Sequence, residues 1–79
     1  MFLEIVTPNK KVFSGEIKKI KVPGSEGPFE VLNNHASIVS TLTKGEVKVI
    51  LADGEKSLYN ISSGVIEVKS NKIVVLAEF

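Results

Sequence analysis

Seventy-nine residues with a net charge of +1 and no cysteine fit one small domain and exclude disulfides, thiolate metal centres and cysteine nucleophiles. Every basic residue is a lysine, so the side chain that reads phosphates and base edges in bidentate fashion is missing, which argues against sequence-specific nucleic-acid binding. The core must come from apolar side chains alone. These are mostly β-branched, 11 Val and 8 Ile against 6 Leu and 3 Ala, a balance that favours strands.

Short apolar runs alternate with turn signals roughly every 6–12 residues. Phe2–Thr7 reads as the first strand, stopped by Pro8-Asn9. Val12-Phe13 is a short second piece ended by Ser14-Gly15, and Glu16–Val22 a third. Within the third, Ile20 and Val22 share a face and Ile17 falls on the other, a phase break that predicts a bulge or a change of sheet. Pro23-Gly24-Ser25-Glu26-Gly27-Pro28 is the densest punctuation in the chain and predicts an exposed loop of fixed shape.

Phe29–Leu32 follows as a brief strand, then the turn Asn33-Asn34-His35-Ala36, the extended run Ser37–Leu42 and the turn Thr43-Lys44-Gly45. The second half reads as a meander. Val47, Val49 and Leu51 alternate with Lys48 and Ile50. Asp53-Gly54 signals a type I′ hairpin with positive φ at both residues. Glu55–Ile61 returns, Ser62-Ser63-Gly64 turns, and Val65–Lys69 and Lys72–Glu78 pair across Ser70-Asn71.

No segment keeps helical periodicity over ten residues. The expected architecture is all-β: residues 1–79 as a single β-sandwich of about ten short strands in two antiparallel sheets. A barrel is the alternative, and as a small ligand-binding domain it would need a central cavity. No apolar run reaches the roughly 18 residues of a membrane-spanning helix. Met1-Phe2-Leu3-Glu4 lacks the basic region and cleavage site of a signal peptide, so a cytoplasmic location is expected.

Candidate chemistry is sparse. His35 is the only histidine, and with Glu26 and Glu30 as its nearest carboxylates it has no ligand spacing for a metal. A loop histidine bonded to its own turn is the plainer reading. Asp53 is explained by turn chemistry. Eight glutamates lie singly, and no serine has an evident base, so neither an acid–base couple nor an activated nucleophile is marked out. Pro23–Gly27 resembles a phosphate-cradling loop but lacks the following Lys-Ser/Thr. Lys10, Lys11, Lys18, Lys19 and Lys21 form a basic cluster without interleaved aromatics, which reads as a solvated face or as proximity to an anionic membrane. The chain is expected to be no enzyme, to need no cofactor, and to work by presenting surface to protein partners.

Three stretches in register carry a resemblance. Leu3-Glu4-Ile5-Val6-Thr7-Pro8 with Phe13-Ser14-Gly15, then Val22–Gly27 with Leu32, His35-Ala36, Leu42 and Gly45, then Gly64-Val65, Glu67-Val68 and Val74–Ala77 together resemble the epsilon subunits of rotary F-type ATP synthases. The resemblance implies a β-sandwich on the central stalk that grips the gamma subunit, rests on the c-ring and helps couple proton flow to ATP synthesis. That places the chain at the cytoplasmic face of the bacterial inner membrane. It implies a gamma-facing side at Thr7, His35 and Ser40, and a loop toward the c-ring at Ser25, Glu26, Gly27 and Pro28.

This sequence departs from the family in having Asn33-Asn34 where Pro-Gly is common, Ser37 where a proline is common, and Pro28 where a polar or acidic residue is frequent. The family's two C-terminal helices are also missing from it, which leaves a shortened chain and a naturally short one as open readings. Without those helices the expectation is a constitutive coupling subunit that binds no ATP and applies no helical brake. An unrelated β-sandwich adaptor is the alternative function.

Overall fold

The β-branched excess resolves into eight strands and no helix in the computed structural model, which describes all residues from 1 to 79. They are β1 (Phe2–Val6), β2 (Lys11–Val22), β3 (Phe29–Val31), β4 (Ile38–Leu42), β5 (Gly45–Leu51), β6 (Lys56–Ile61), β7 (Ser63–Lys69) and β8 (Lys72–Glu78). Their order is β4-β7-β8-β1-β2-β5-β6, with β3 also on β2.

The sheet curls into two layers because β2 belongs to both. Its first half pairs with β1 and completes sheet I (β4-β7-β8-β1-β2). Its second half pairs with β5 and β3 and begins sheet II (β3-β2-β5-β6). The crossing lies where the phase break predicts it. Ile17 pairs with Leu51 and Lys19 with Ile50, so Lys18 is the extra residue of a bulge. That one-residue slip lets Ile17, Ile20 and Val22 all face inward and be buried.

The alternation of each strand then builds a single core. Leu3 and Ile5 of β1, Ile66 and Val68 of β7, and Ile73, Val75 and Ala77 of β8 meet Ile20, Val22, Val31, Val47, Val49 and Ile61 from sheet II in one cluster of 15 buried side chains. No polar or charged residue is buried among them. The interior is filled with hydrocarbon rather than open for a ligand, which disposes of the ligand-binding barrel.

Three expectations need correction. The strand count is eight rather than ten, chiefly because Ser14-Gly15 does not interrupt the chain. Ser14 pairs with Glu4 and Gly15 with Leu3, and these ladder bonds outweigh the local preference of glycine for a turn.

The sheets are not wholly antiparallel either, since β1 runs parallel to β8, with Leu3 beside Ile73 and Ile5 beside Val75. No turn joins these two strands, so nothing forces opposed directions, and this register sets buried residues side by side.

The type I′ turn is also elsewhere. At Asp53-Gly54 only Gly54 has positive φ (93°). There the Gly54 N–H donates to Leu51 O at 2.9 Å, Leu51 N–H to Glu55 O at 2.8 Å, and Glu55 N–H to the Asp53 carboxylate at 2.9 Å. Those bonds describe a three-residue loop ending in a glycine bulge. Both residues of Ser70-Asn71 do have positive φ, 51° and 60°.

Candidate partner-binding surfaces

With the inner faces committed to the core, the outward faces carry what the molecule can do. Side chains directly opposite each other share a face, so the register maps them. On sheet I one outward row reads Thr41, Val65, Leu76, Val6 and the next reads Val39, Glu67, Val74, Glu4. Val39 is 69% exposed, Leu76 46% and Val65 38%. These valines and the leucine make a contiguous apolar patch around Glu67. The charges bordering it are paired. Lys11 Nζ lies 2.9 Å from Glu4 Oε2 and Lys72 Nζ 3.9 Å from Glu4 Oε1. The hydrogen bond from Lys11 and its charge hold the Glu4 carboxyl below its ordinary range; burial opposes them, and Lys72 adds the smallest lowering effect.

Sheet II presents different chemistry. Lys21 stands opposite Lys48, which stands opposite Leu58, while Lys19 stands opposite Ile50 and Ile50 opposite Lys56. Glu30 reaches Lys19 at 3.4 Å, and Lys21, Lys48 and Lys56 have no carboxylate within salt-bridge distance. Of the basic cluster noted in the sequence, only Lys19 and Lys21 fall on this patch. Lys11 belongs to sheet I, Lys10 to the turn after β1, and Lys18 to the bulge.

The residues singled out from the sequence do not gather at one point. Thr7 follows β1 at the Ala77 end of sheet I. Its hydroxyl accepts N–H bonds from Asn9 (3.2 Å) and Lys10 (3.1 Å) and donates to Lys10 O (3.3 Å). It shapes the turn into β2, which is the ordinary work of a threonine at that place.

His35 lies toward the opposite end, in the loop between β3 and β4. Its Nδ1 is 2.7 Å from Ala36 O, and its N–H donates to Leu32 O at 3.1 Å. Ser40 is opposite Ile66 and therefore points inward along the edge of sheet I. It lines a groove together with Thr41 and the loop Gly24–Pro28. Between Thr7 and the His35 loop runs the length of β1, about 15 Å, with the apolar patch beside it.

The loop Ser25-Glu26-Gly27-Pro28 has the fixed shape expected. Gly24 pairs with Leu42 as an isolated bridge. Ser25 N–H donates to Thr41 O (3.0 Å) and Gly27 N–H to Gly24 O (2.9 Å), while Thr41 Oγ1 donates to Ser25 Oγ (2.8 Å). Gly24 is irreplaceable on steric grounds, because a Cβ there would sit 2.6 Å from Gly27 O and 2.8 Å from the Phe29 ring. The loop therefore shares a groove with Ser40. Residues that the resemblance distributes between two partners lie within one groove.

The apolar patch of sheet I was missed in the sequence. Its signal is there in β8, where Ile73-Val74-Val75-Leu76-Ala77 is apolar without alternation. Such a run marks a strand covered on both faces, yet here only one face meets the core.

The β-sandwich domain model of ATP synthase delta/epsilon chains matches residues 1–79. An ATP synthase epsilon chain of Campylobacter hominis is 44% identical over 78 residues, 98% of this chain and 60% of that relative. One from Chlorobaculum tepidum is 42% identical over 76 residues, 96% of this chain and 86% of that relative. The chain thus spans less than two thirds of the first relative and most of the second. Among solved structures, a chain of the Euglena gracilis mitochondrial ATP synthase, in an OSCP/F1/c-ring assembly, superposes with a TM-score of 0.88 at 25% identity over 95% of this chain and 48% of that one. A chain of the Tetrahymena thermophila mitochondrial ATP synthase central stalk and c-ring gives 0.82 over 100% and 63%, at 17% identity, a likeness of fold.

Proposed function

The chain belongs to the β-sandwich family of ATP synthase delta and epsilon chains, and from that premise we propose that it is a non-catalytic rotor subunit linking the gamma subunit to the c-ring. In this reading it turns with both and couples proton translocation to ATP synthesis, at the cytoplasmic face of the bacterial inner membrane. Its close relatives are bacterial epsilon chains, and the chains it superposes on come from ATP synthase assemblies that include the c-ring.

The observation that carries the reading is the outward apolar patch of sheet I. A small monomer gains nothing in folding from leaving Val39, Val65 and Leu76 in water, and patches of this kind mark protein interfaces. We assign it to gamma, with His35 and Thr7 toward the two ends of that contact. The pinned loop Ser25–Pro28, held in one shape and so cheap to order on docking, is assigned to the c-ring.

Co-purification with the gamma subunit tests this reading. Val39→Lys, at a position 69% exposed, should leave the fold within about 0.5 kcal/mol of the parent while weakening gamma binding about tenfold or more. A parent chain that does not bind gamma, or a variant that binds it equally well, overturns the assignment.

A further inference from the structure

The loop that carries His35 is held from outside. Between β3 and β4 the chain has no ladder partners, yet Asn34 adopts a left-handed backbone with φ 65°, a conformation asparagine tolerates better than most residues. The other two non-glycine residues with positive φ are Ser70 and Asn71, in the β7–β8 turn. These two turns, 37 residues apart, clasp each other. Asn34 N–H donates to Asn71 Oδ1 at 2.7 Å, and Asn71 Nδ2 donates to Asn34 Oδ1 at 3.2 Å. Asn71 is itself fastened to sheet I, because its carbonyl accepts the Phe2 N–H at 3.0 Å. The His35 loop thus inherits the position of β1 and β8.

The ring of His35 is itself bonded within this loop. Nδ1 of His35 lies 2.7 Å from Ala36 O, and a carbonyl can only accept, so Nδ1 carries the proton. In the neutral imidazole that leaves Nε2 a bare lone pair. The ring is half-exposed and no group of the chain bonds Nε2.

We propose that the Asn34–Asn71 clasp is a positioning device that presents His35 Nε2 as a fixed hydrogen-bond acceptor to a donor side chain of a protein partner: a hydroxyl, an amide or a cationic nitrogen. Asn71 acts through the loop and touches no partner. That the partner is gamma rests on the function proposed above. The clasp and the tautomer do not.

The first test needs only the isolated chain. Nitrogen-15 spectra of the neutral imidazole should show the Nδ1–H tautomer. The Nε2–H tautomer would overturn the proposal. Asn71→Gly removes the clasping side chain while permitting positive φ. It should leave the β7 and β8 amide shifts in place, average the two tautomers and speed solvent exchange of the Asn34 amide about tenfold. Asn71→Asp keeps the acceptor for Asn34 N–H and should restore much of that protection. An unchanged tautomer and Asn34 exchange rate in Asn71→Gly would remove Asn71 from the mechanism.

The second test is a double-mutant cycle on gamma affinity. Asn71→Gly and His35→Ala should each weaken binding, and Asn71→Gly should add almost nothing in the His35→Ala background. Full additivity would show that the clasp acts elsewhere, against the proposal. A parent chain without affinity for gamma would overturn the function proposed above, while the spectra still decide the clasp.

Discussion

The two sheets back onto one core, yet their outward faces differ in kind. Sheet I turns Val39, Val65, Val74 and Leu76 outward and neutralises its border charges through Glu4, Lys11 and Lys72. Sheet II turns out Lys19, Lys21, Lys48 and Lys56, with two lysines directly opposite each other. Like charges in that position are mildly destabilising, so neither outward face is what folding alone would select. The inward faces are interchangeable in chemistry: Ile, Val and Leu on both sides. Folding accounts for the inner pair of faces, and association has to account for the outer pair. Sheet I suits a partner that covers it; sheet II suits water or an anionic neighbour.

The largest expected effect tests whether the inner faces are equivalent. Ile66→Ala in sheet I and Ile20→Ala in sheet II should each cost about 2–5 kcal/mol. That is a large part of the roughly 4–12 kcal/mol expected for a chain of this size. Urea denaturation with an unchanged m-value checks both. If only one of the two matters, the sheets do not unfold as a unit and the comparison breaks.

A smaller effect separates the outer faces. Leu76→Lys on sheet I should weaken gamma binding by about tenfold, and Lys48→Glu on sheet II should leave it within a factor of about two while relieving the repulsion at Lys21. Titration of labelled chain with gamma reads both. Equal losses would mean that the partner wraps both faces.

The smallest effect concerns the border of sheet I. Because Lys11 and Lys72 hold the Glu4 carboxyl below its ordinary value of 4.5, its contribution to stability is present above that pH and is lost as pH falls through the folded-state value. The parent should be slightly more stable than Glu4→Gln at pH 7, and the two should converge on acidification below pH 4.5. A difference that persists in acid would assign the effect to packing rather than charge.

Much of the fold was legible because β-branched residues alternate between turn signals. The bulge at Lys18 was readable from the phase of Ile17 against Ile20. What stayed hidden was non-local. The parallel pairing of β1 with β8 leaves no turn signal, since the two strands lie at opposite ends of the chain. The continuity of β2 through Gly15 depends on ladder partners in β1 rather than on Gly15 itself. Positive φ at both turn residues was expected at Asp53-Gly54 and is found at Ser70-Asn71, because asparagine and serine can take left-handed backbones when the surrounding contacts hold them there.

The candidate surface was less legible than the fold. Thr7, His35 and Ser40 came from a resemblance, and the structure sets Thr7 and His35 toward opposite ends of sheet I with Ser40 on the rim. The apolar patch itself depends on which residues of β4, β7 and β8 stand abreast, a fact of register that no single strand contains.

Because β2 serves both layers, the domain carries load differently from a pair of stacked sheets. In a sandwich made of separate sheets, a sideways load on one is passed to the other through side chains that can slip over one another. Here the 12 residues of Lys11–Val22 run from one layer into the other, so that shear is carried by peptide bonds and by the ladders to β1 and β5. For a body that is pushed on one face and must push with another, such a strand works as a tie rod: the layers cannot slide apart without stretching covalent backbone.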